Sequence, residues 1–266
     1  MYYACTLSPG QKQLYKQLTS GLLAYSGQIR LDTSPPCTID DLRATWKAVK
    51  LDHPELMHVN WWQYRHSNDL WGNPVCVIPD YIIDIDSAQE YRDMLRQFEN
   101  SVSMTDAAVP PIIRYFALAD SITSRVTYTN SGSLTEHSML GVLHGRAVCE
   151  GIAATFLHLC QINQLPAMII HSATHSWNAI EVQNNIYQID LTSRLGKPLT
   201  IHDLWDPQQA RSHNLLTGIP SMPAQYSDRI LLFNDPACSS EPPATTSPGP
   251  IFPAGTHFNA PIHTYP

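Results

Sequence analysis

Three side chains in one stretch of this chain are of the types that nucleophilic chemistry needs. Cys149 lies in Gly145-Arg-Ala-Val-Cys-Glu-Gly151, His175 in Thr174-His-Ser-Trp-Asn178, and Asp190 in Tyr187-Gln-Ile-Asp-Leu-Thr192. A thiol, an imidazole and a carboxylate are the parts of a nucleophile with an oriented general base. Each has a commoner role when it stands alone. A free cysteine is most often a small buried hydrophobe, and Cys160, farther along the same apolar run, is read that way. An acid at a strand end is most often a turn or surface group. The combination, in this order, is what points to chemistry.

The surrounding elements must then position the three groups. After Cys149, the residues Ile152, Ala153, Phe156, Leu157, Leu159, Cys160 and Ile162 predict a helix that is apolar over a wide face, as a central core helix is. Cys149 falls in its first turn, where unsatisfied N–H groups and the helix dipole favour an anion. A neighbouring imidazolium lowers a thiol pKa further. Gly145 permits an unusual backbone just before this point, and the Cys149 N–H can itself donate to an oxyanion. Residues 167–170, 176–182 and 186–191 read as antiparallel strands, with Asn184-Asn185 as a tight turn. Alternation sets His175, Trp177, Ala179 and Glu181 on one face. That turn puts Asp190 opposite Ala179, on the face of His175 but too far along a flat ladder for contact. A bulge, a strong twist or a longer loop has to close the gap. With it closed, Asp190 holds the imidazole tautomer, His175 takes the thiol proton and returns it to the leaving group, and Cys149 attacks a carbonyl. Trp177 is placed to wall the Cys–His pair off from water, and Glu150 is a favourable charge in the first helical turn.

His171 and His175 have the spacing of metal ligands on a helix. Ile169, Ile170 and Trp177 favour a strand instead, and no third ligand is spaced nearby, so no metal and no cofactor are expected. His144 and His158 read as ordinary helix or core-edge residues. The cysteines Cys5, Cys37, Cys76, Cys149, Cys160 and Cys238 never form Cys-x-x-Cys, which argues against a zinc knuckle or a thioredoxin-type site. In a chain of this length with no export signal, reduced thiols are expected.

These residues resemble the transglutaminase-like superfamily of the papain-like thiol enzymes. The family pattern of a Gly-x-x-Val-Cys-Glu-Gly helix start, a His-x-Trp-Asn strand and an Asp-x-Thr strand is met by 145–151, 175–178 and 190–192. The segment 115–128 and the pair His137-Ser138 are similar to the family's lead-in. The match covers about residues 110–192, on the scale of one domain, and residues 15–59, with Asp52-His-Pro-Glu-Leu56, resemble the N-terminal region of bacterial members. The resemblance implies a Cys149-His175-Asp190 triad, a Cys-bearing helix packed on an antiparallel sheet, and acyl transfer through a thioester. It also implies a second oxyanion donor at Ser138 or His137. Family members include cross-linkers, deamidases, peptidases and catalytically dead relatives. Two departures stand out: Ser193 takes the place of an aromatic after Asp-x-Thr, and the stretch after Arg194 leaves the family pattern.

The fold class read from the whole chain is α+β: a papain-like/transglutaminase-like core with an α+β N-terminal region. Helix starts are marked at Ser8-Pro9-Gly10-Gln11, with Gly27 as the stop, at Thr38-Ile39-Asp40-Asp41, and at Ser87. Pro110 and Pro111 start another, through Ser124. Residues 28–31, 56–62, 74–78 and 81–86 read as strands, with Pro79-Asp80 as a break, and 229–233 as a last one. Val109-Pro110-Pro111 marks the internal boundary, which gives an N-terminal region over 1–108 and a catalytic domain over 109–235. From Ala237 the chain turns Pro-, Ser- and Thr-rich, and 236–266 reads as a disordered tail able to bind a partner.

A net charge of −7 argues against nucleic acid as a partner, which wants a basic stripe. No apolar run is long enough to span a bilayer. The first residues lack the charged and apolar regions of a secretory signal, so the expected location is cytoplasmic or reached by a signal-independent route. The function expected is a thiol acyl-transfer enzyme acting on a protein or peptide amide, with hydrolysis favoured over cross-linking. The alternative is a catalytically inactive binding module on the same fold.

Overall fold

The computed structural model describes residues 2–102, 109–172, 174–182, 185–200, 203–204 and 263–264. A short helix, α1 (Tyr2–Cys5), precedes α2 (Pro9–Leu23). Ser8 and Gln11 form the expected reciprocal capping box, which satisfies two of the donors that a helix start leaves open. α2 ends at Leu23, before Gly27. Tyr25 takes φ 51° and stacks on His58 at 3.8 Å between ring centroids, so it leaves the apolar stripe that its spacing suggests. α3 (Ile39–Asp52) starts with the same device at Thr38 and Asp41. At its far end the buried carboxylate of Asp52 accepts from Tyr3 N at 3.0 Å, Ala4 N at 2.8 Å and Tyr15 Oη at 3.0 Å. One acceptor thus ties α1 and α2 to α3.

The first sheet differs from the strands read in the sequence. After β1 (Ile29–Arg30) come two long strands, β2 (Val59–Asn68) and β3 (Pro74–Tyr81), in the antiparallel order β1-β3-β2. β3 runs through Pro79 instead of breaking there. Val59 pairs with Tyr81 and Tyr64 with Pro79, so β2 bulges between them. The proline, which has no N–H to give, faces the place where regular pairing is interrupted. Residues 85–86 are helical, in α4 (Ile85–Val102), whose start is fixed by Asp84 Oδ1 accepting from Ser87 N at 2.7 Å.

The second part begins with α5 (Pro111–Thr123), led by Pro110, with Tyr115, Leu118, Ala119 and Ile122 fully buried. β4 (Thr127–Tyr128) pairs parallel with β5 (Arg146–Ala147). Between them lie a 3-10 turn over Leu134–His137 and α6 (Met139–Leu143). α7 (Cys149–Ile162) follows, then β6 (Ala167–His171), β7 (Ser176–Val182) and β8 (Asn185–Ile189), an antiparallel sheet in that order. α7 packs on β6 and β7, so the architecture is mixed α+β with helices against antiparallel sheets. Phe156 and Leu159 of α7 are fully buried, each such side chain contributing about 1.5–3 kcal/mol of burial. The last described strand, β9 (His263–Thr264), pairs with β2. The main core cluster draws on both parts of the chain, from Leu14, Leu18 and Trp46 to Tyr115, Phe156 and Ile180.

Cys37, Cys76, Cys149 and Cys160 are free thiols. Cys5 is disulfide-bonded, so the expectation of reduced thiols fails there; the even number of cysteines in the chain permits a bridge. Cys238, the strand expected at 229–233 and all of the Pro-rich tail except residues 263–264 lie outside the described residues. No described helix is long and apolar enough to cross a membrane.

Candidate active site

Cys149 is the first residue of α7, and Val148, at the N-cap, offers no capping side chain. The head of the helix is therefore not closed by its own sequence, and its positive end is left for another group. Two backbone features bring the chain to this point. Gly145 takes φ 73°, a left-handed conformation that suits glycine, directly before β5. Val148 N then donates to Glu136 O at 3.0 Å, which lays the 3-10 turn across the start of α7.

That crossing explains the glycine after Cys149-Glu150. A Cβ on Gly151 would lie 2.6 Å from Glu136 O and 2.7 Å from Ser138 O, both backbone atoms that cannot swing away. Gly151→Ala should therefore lower stability by about 1–3 kcal/mol, although alanine is the better helix former. Denaturant unfolding checks this, and an unchanged midpoint would remove the steric account.

His175 stands immediately before β7, at the end of the link from β6. Ser172 braces it: Ser172 N donates to His175 O at 2.8 Å, and Ser172 Oγ accepts from His175 N at 3.0 Å. Asp190 directly follows β8 and caps the 3-10 turn Leu191–Arg194. The register of β7 and β8 decides whether the two meet. Asn178 pairs with Ile189 and Val182 with Asn185. Asn185 is therefore a strand residue and not the second residue of the expected Asn184-Asn185 turn, and Asn184 lies outside the described residues. Continuing that register sets Asp190 opposite Trp177 instead of Ala179. A shift of two keeps the face and halves the distance along the strand, so His175 becomes the diagonal neighbour, within reach of a side chain. No bulge is needed. His175 Nε2 meets Asp190 Oδ2 at 2.9 Å. Asp190 Oδ1 accepts from Thr192 N at 2.9 Å, and Ser193 Oγ donates to Asp190 O at 2.9 Å. The Asp-x-Thr segment thus works through the backbone N–H of its threonine, and Ser193 closes the same turn.

The Cys149 thiol lies near enough to His175 for each to shift the other's pKa. Burial alone would raise that thiol's pKa. The bond to His175, a backbone bond from Ser176 and the imidazolium charge outweigh it, so the thiol lies below its ordinary value. His175 moves the other way, pushed up to about 10, first by its bond to Asp190 and then by its bond to Cys149, against the opposing effect of burial. The two shifts run in opposite directions, the thiol down and the imidazole up. Cys149 and Asp190 are buried, while the His175 side chain stays part-exposed, so the site opens to solvent at its reacting edge.

Trp177 stacks on His175 at 5.7 Å between centroids and 20° between planes, and its Nε1 donates to Gln188 at 2.9 Å. It covers one face of the imidazole. Asn178 is fully enclosed and donates from Nδ2 to Ala153 O at 3.0 Å, joining β7 to α7. Ser138 and His137 have other work. Ser138 Oγ donates to Thr135 O at 3.0 Å and caps α6, and His137 Nδ1 meets Glu150 at 2.9 Å. Glu150 also pairs with Lys50 of α3 at 2.5 Å, which fastens the N-terminal part to the head of α7. Cys160 is fully buried, as expected of a core residue. His171 ends β6 as a strand residue.

One residue near Cys149 has no place in the sequence reading of the site. The Tyr128 phenol of β4 lies above its ordinary value, first by burial and then by the charge of the nearby Cys149. Its tyrosine identity gives no signal of this, because the nearness depends on a two-residue parallel pairing with β5.

No family model and no curated protein matches this chain. A solved structure described as "Crystal structure of a TGase" aligns with it at a TM-score of 0.31 and 11% identity, over 70% of this chain and 48% of that one. The chain thus spans about half the length of that structure.

Proposed function

We propose that this chain is a thiol acyl-transfer enzyme of transglutaminase-like type, acting on amide carbonyls of proteins or peptides through a thioester on Cys149. The observation that carries this reading is His175, with Asp190 on its Nε2 at 2.9 Å and the Cys149 thiol on its other side. In the reaction the thiolate attacks the carbonyl carbon, and the oxygen takes the negative charge beside the Cys149 N–H at the head of α7. His175 gives its proton to the leaving nitrogen as the adduct collapses to the thioester. It then takes a proton from the acceptor, which attacks the thioester. Water as acceptor requires no second pocket, and hydrolysis or deamidation is the outcome proposed ahead of cross-linking.

The test is a mass-spectrometric screen of protein and peptide mixtures treated with the native chain or with Cys149→Ala. Conversion of Gln to Glu, a new cross-link or a cleavage, each lost in the variant, would name the reaction. Identical mixtures after both treatments would favour a binding module.

The pH dependence follows from the pair. The acylating form needs the thiolate and the imidazolium together. It is lost on the alkaline side as pH rises through about 10, where His175 gives up its proton. On the acid side it is lost where the lowered thiol picks one up. Acylation rate against pH should be a bell whose acid limb lies below that of a free thiol. A single rise at the ordinary thiol value would speak against the ion pair.

A further inference from the structure

We propose that Trp62, together with Leu134, forms the subsite for the acyl half of the substrate, and that this subsite takes a neutral, apolar group. The inference rests on the acyl-transfer reading and names the chemistry of the substrate beside the reacting carbonyl.

β2 belongs to the N-terminal part, yet its Trp62 stands at the head of α7. The indole meets the His137 ring edge-on, 5.5 Å between centroids, and Lys50 Nζ lies over it at 4.6 Å. One carboxylate holds both of those groups: Glu150 meets His137 Nδ1 at 2.9 Å and Lys50 Nζ at 2.5 Å. Glu150 is the residue directly after Cys149, in the first turn of α7. The backbone at the indole is fixed as well. Trp62 N donates to Asn60 Oδ1 at 3.2 Å, and Asn60 Nδ2 donates to Asp80 Oδ2 at 2.7 Å. Trp62, Lys50, Leu134, His137, Ser138 and Glu150 line a single cavity.

Although held on two sides, Trp62 remains 38% exposed, and Leu134 is 40% exposed. An aromatic ring that is already ordered loses little freedom when a ligand packs on it, which is what makes such a ring a strong binding point. Charge decides what packs there. Lys50 and Glu150 neutralise each other, and His137 commits Nδ1 to the same carboxylate. The cavity therefore offers no free counter-charge, and a charged group entering it would be desolvated without compensation. An aliphatic or aromatic group meets no such penalty and gains the apolar contact. The reaction assigns the half of the substrate. The leaving group departs toward His175, whose proton it takes, so the acyl group that stays on sulfur is the half left to reach along the Glu150 side of the helix head. On this account the N-terminal part supplies substrate contact, through β2, to chemistry carried by the second part.

The experiment measures pre-steady-state acylation by p-nitrophenyl hexanoate and p-nitrophenyl acetate, which share a leaving group and differ only in the acyl chain. In both, the thiolate forms its bond to the carbonyl carbon and the bond from that carbon to p-nitrophenolate breaks. The native chain should react about tenfold faster with hexanoate than with acetate. Trp62→Ala should bring that ratio down to about one, Leu134→Ala should lower it, and Trp62→Phe should keep most of it. Alkylation by iodoacetamide, which carries no acyl chain, reports whether the thiol itself is disturbed. A native ratio of about one would overturn the assignment. So would a loss in Trp62→Ala shared equally by both esters and by iodoacetamide, which would make Trp62 a prop for the head of α7. A native chain that alkylates but gives no burst with either ester beyond that of Cys149→Ala would instead sink the acyl-transfer reading, and this assignment with it.

Discussion

Replacing His175 with alanine should slow the alkylation of Cys149 by iodoacetamide at pH 6 by about tenfold to a hundredfold. The size comes from two opposed effects. An ordinary thiol with a pKa of about 8.5 is ionised to only about one part in three hundred at pH 6, whereas a thiolate paired with an imidazolium is present in far larger proportion. Thiolates of low pKa are, however, weaker nucleophiles, which returns about a factor of ten or more. The direction in the variant is also fixed. Burial is the largest influence on the Cys149 thiol, and in the native chain it is outweighed by His175 and the Ser176 backbone. With His175 gone burial faces less opposition, so the variant's rate should rise with pH only at or above the free-thiol range. The measurement is alkylation rate against pH in both proteins. A native profile that follows an ordinary thiol would mean that Cys149 and His175 do not form an ion pair, whatever their proximity.

The parts of this site that were legible in the sequence are those set by local rules. Capping boxes at Ser8 and Thr38 mark the starts of α2 and α3 because the partner is three residues away in the same segment. The apolar face of α7 and the entry of Cys149 into its first turn follow from period and from a left-handed glycine. Face parity of His175 and Asp190 survives any even register shift, so it was readable even though the register was not. What escaped was non-local. The passage of β3 through Pro79 depends on a bulge in its partner strand, which no property of Pro79 announces. Gly151 reads as one more helix glycine until the carbonyls of Glu136 and Ser138 are seen against it. The Lys50–Glu150 pair joins segments far apart in the chain. In each case the informative quantity is a distance between elements, and composition and spacing carry none of it.

Asp190→Asn should lower acyl turnover by about a hundredfold to ten-thousandfold, by analogy with loss of the orienting carboxylate in hydrolases built on an oriented histidine. The geometry gives the reason. Asp190 uses Oδ2 for His175 Nε2 and Oδ1 for Thr192 N. An asparagine has one oxygen for two donors. If that oxygen stays with Thr192, its amide N–H faces Nε2, which must then accept. The imidazole proton is driven to Nδ1, the nitrogen left for Cys149, and a ring protonated there cannot take the thiol proton. If the amide flips, His175 keeps its orientation but two donors confront each other at the turn. Both arrangements also remove the charge that supports the imidazolium. His175, held at about 10 first by its bond to Asp190, should titrate lower, and the alkaline limb of acylation should move down with it. The sign carries over to stability. A histidine raised in the folded state stabilises below its unfolded value near 6.5, and that contribution is lost as pH rises through about 10. The gap in melting temperature between native chain and variant should therefore be widest below about pH 6.5 and narrow toward pH 10. Turnover and alkaline limb both unchanged in Asp190→Asn would show that the carboxylate anchors a turn and nothing more.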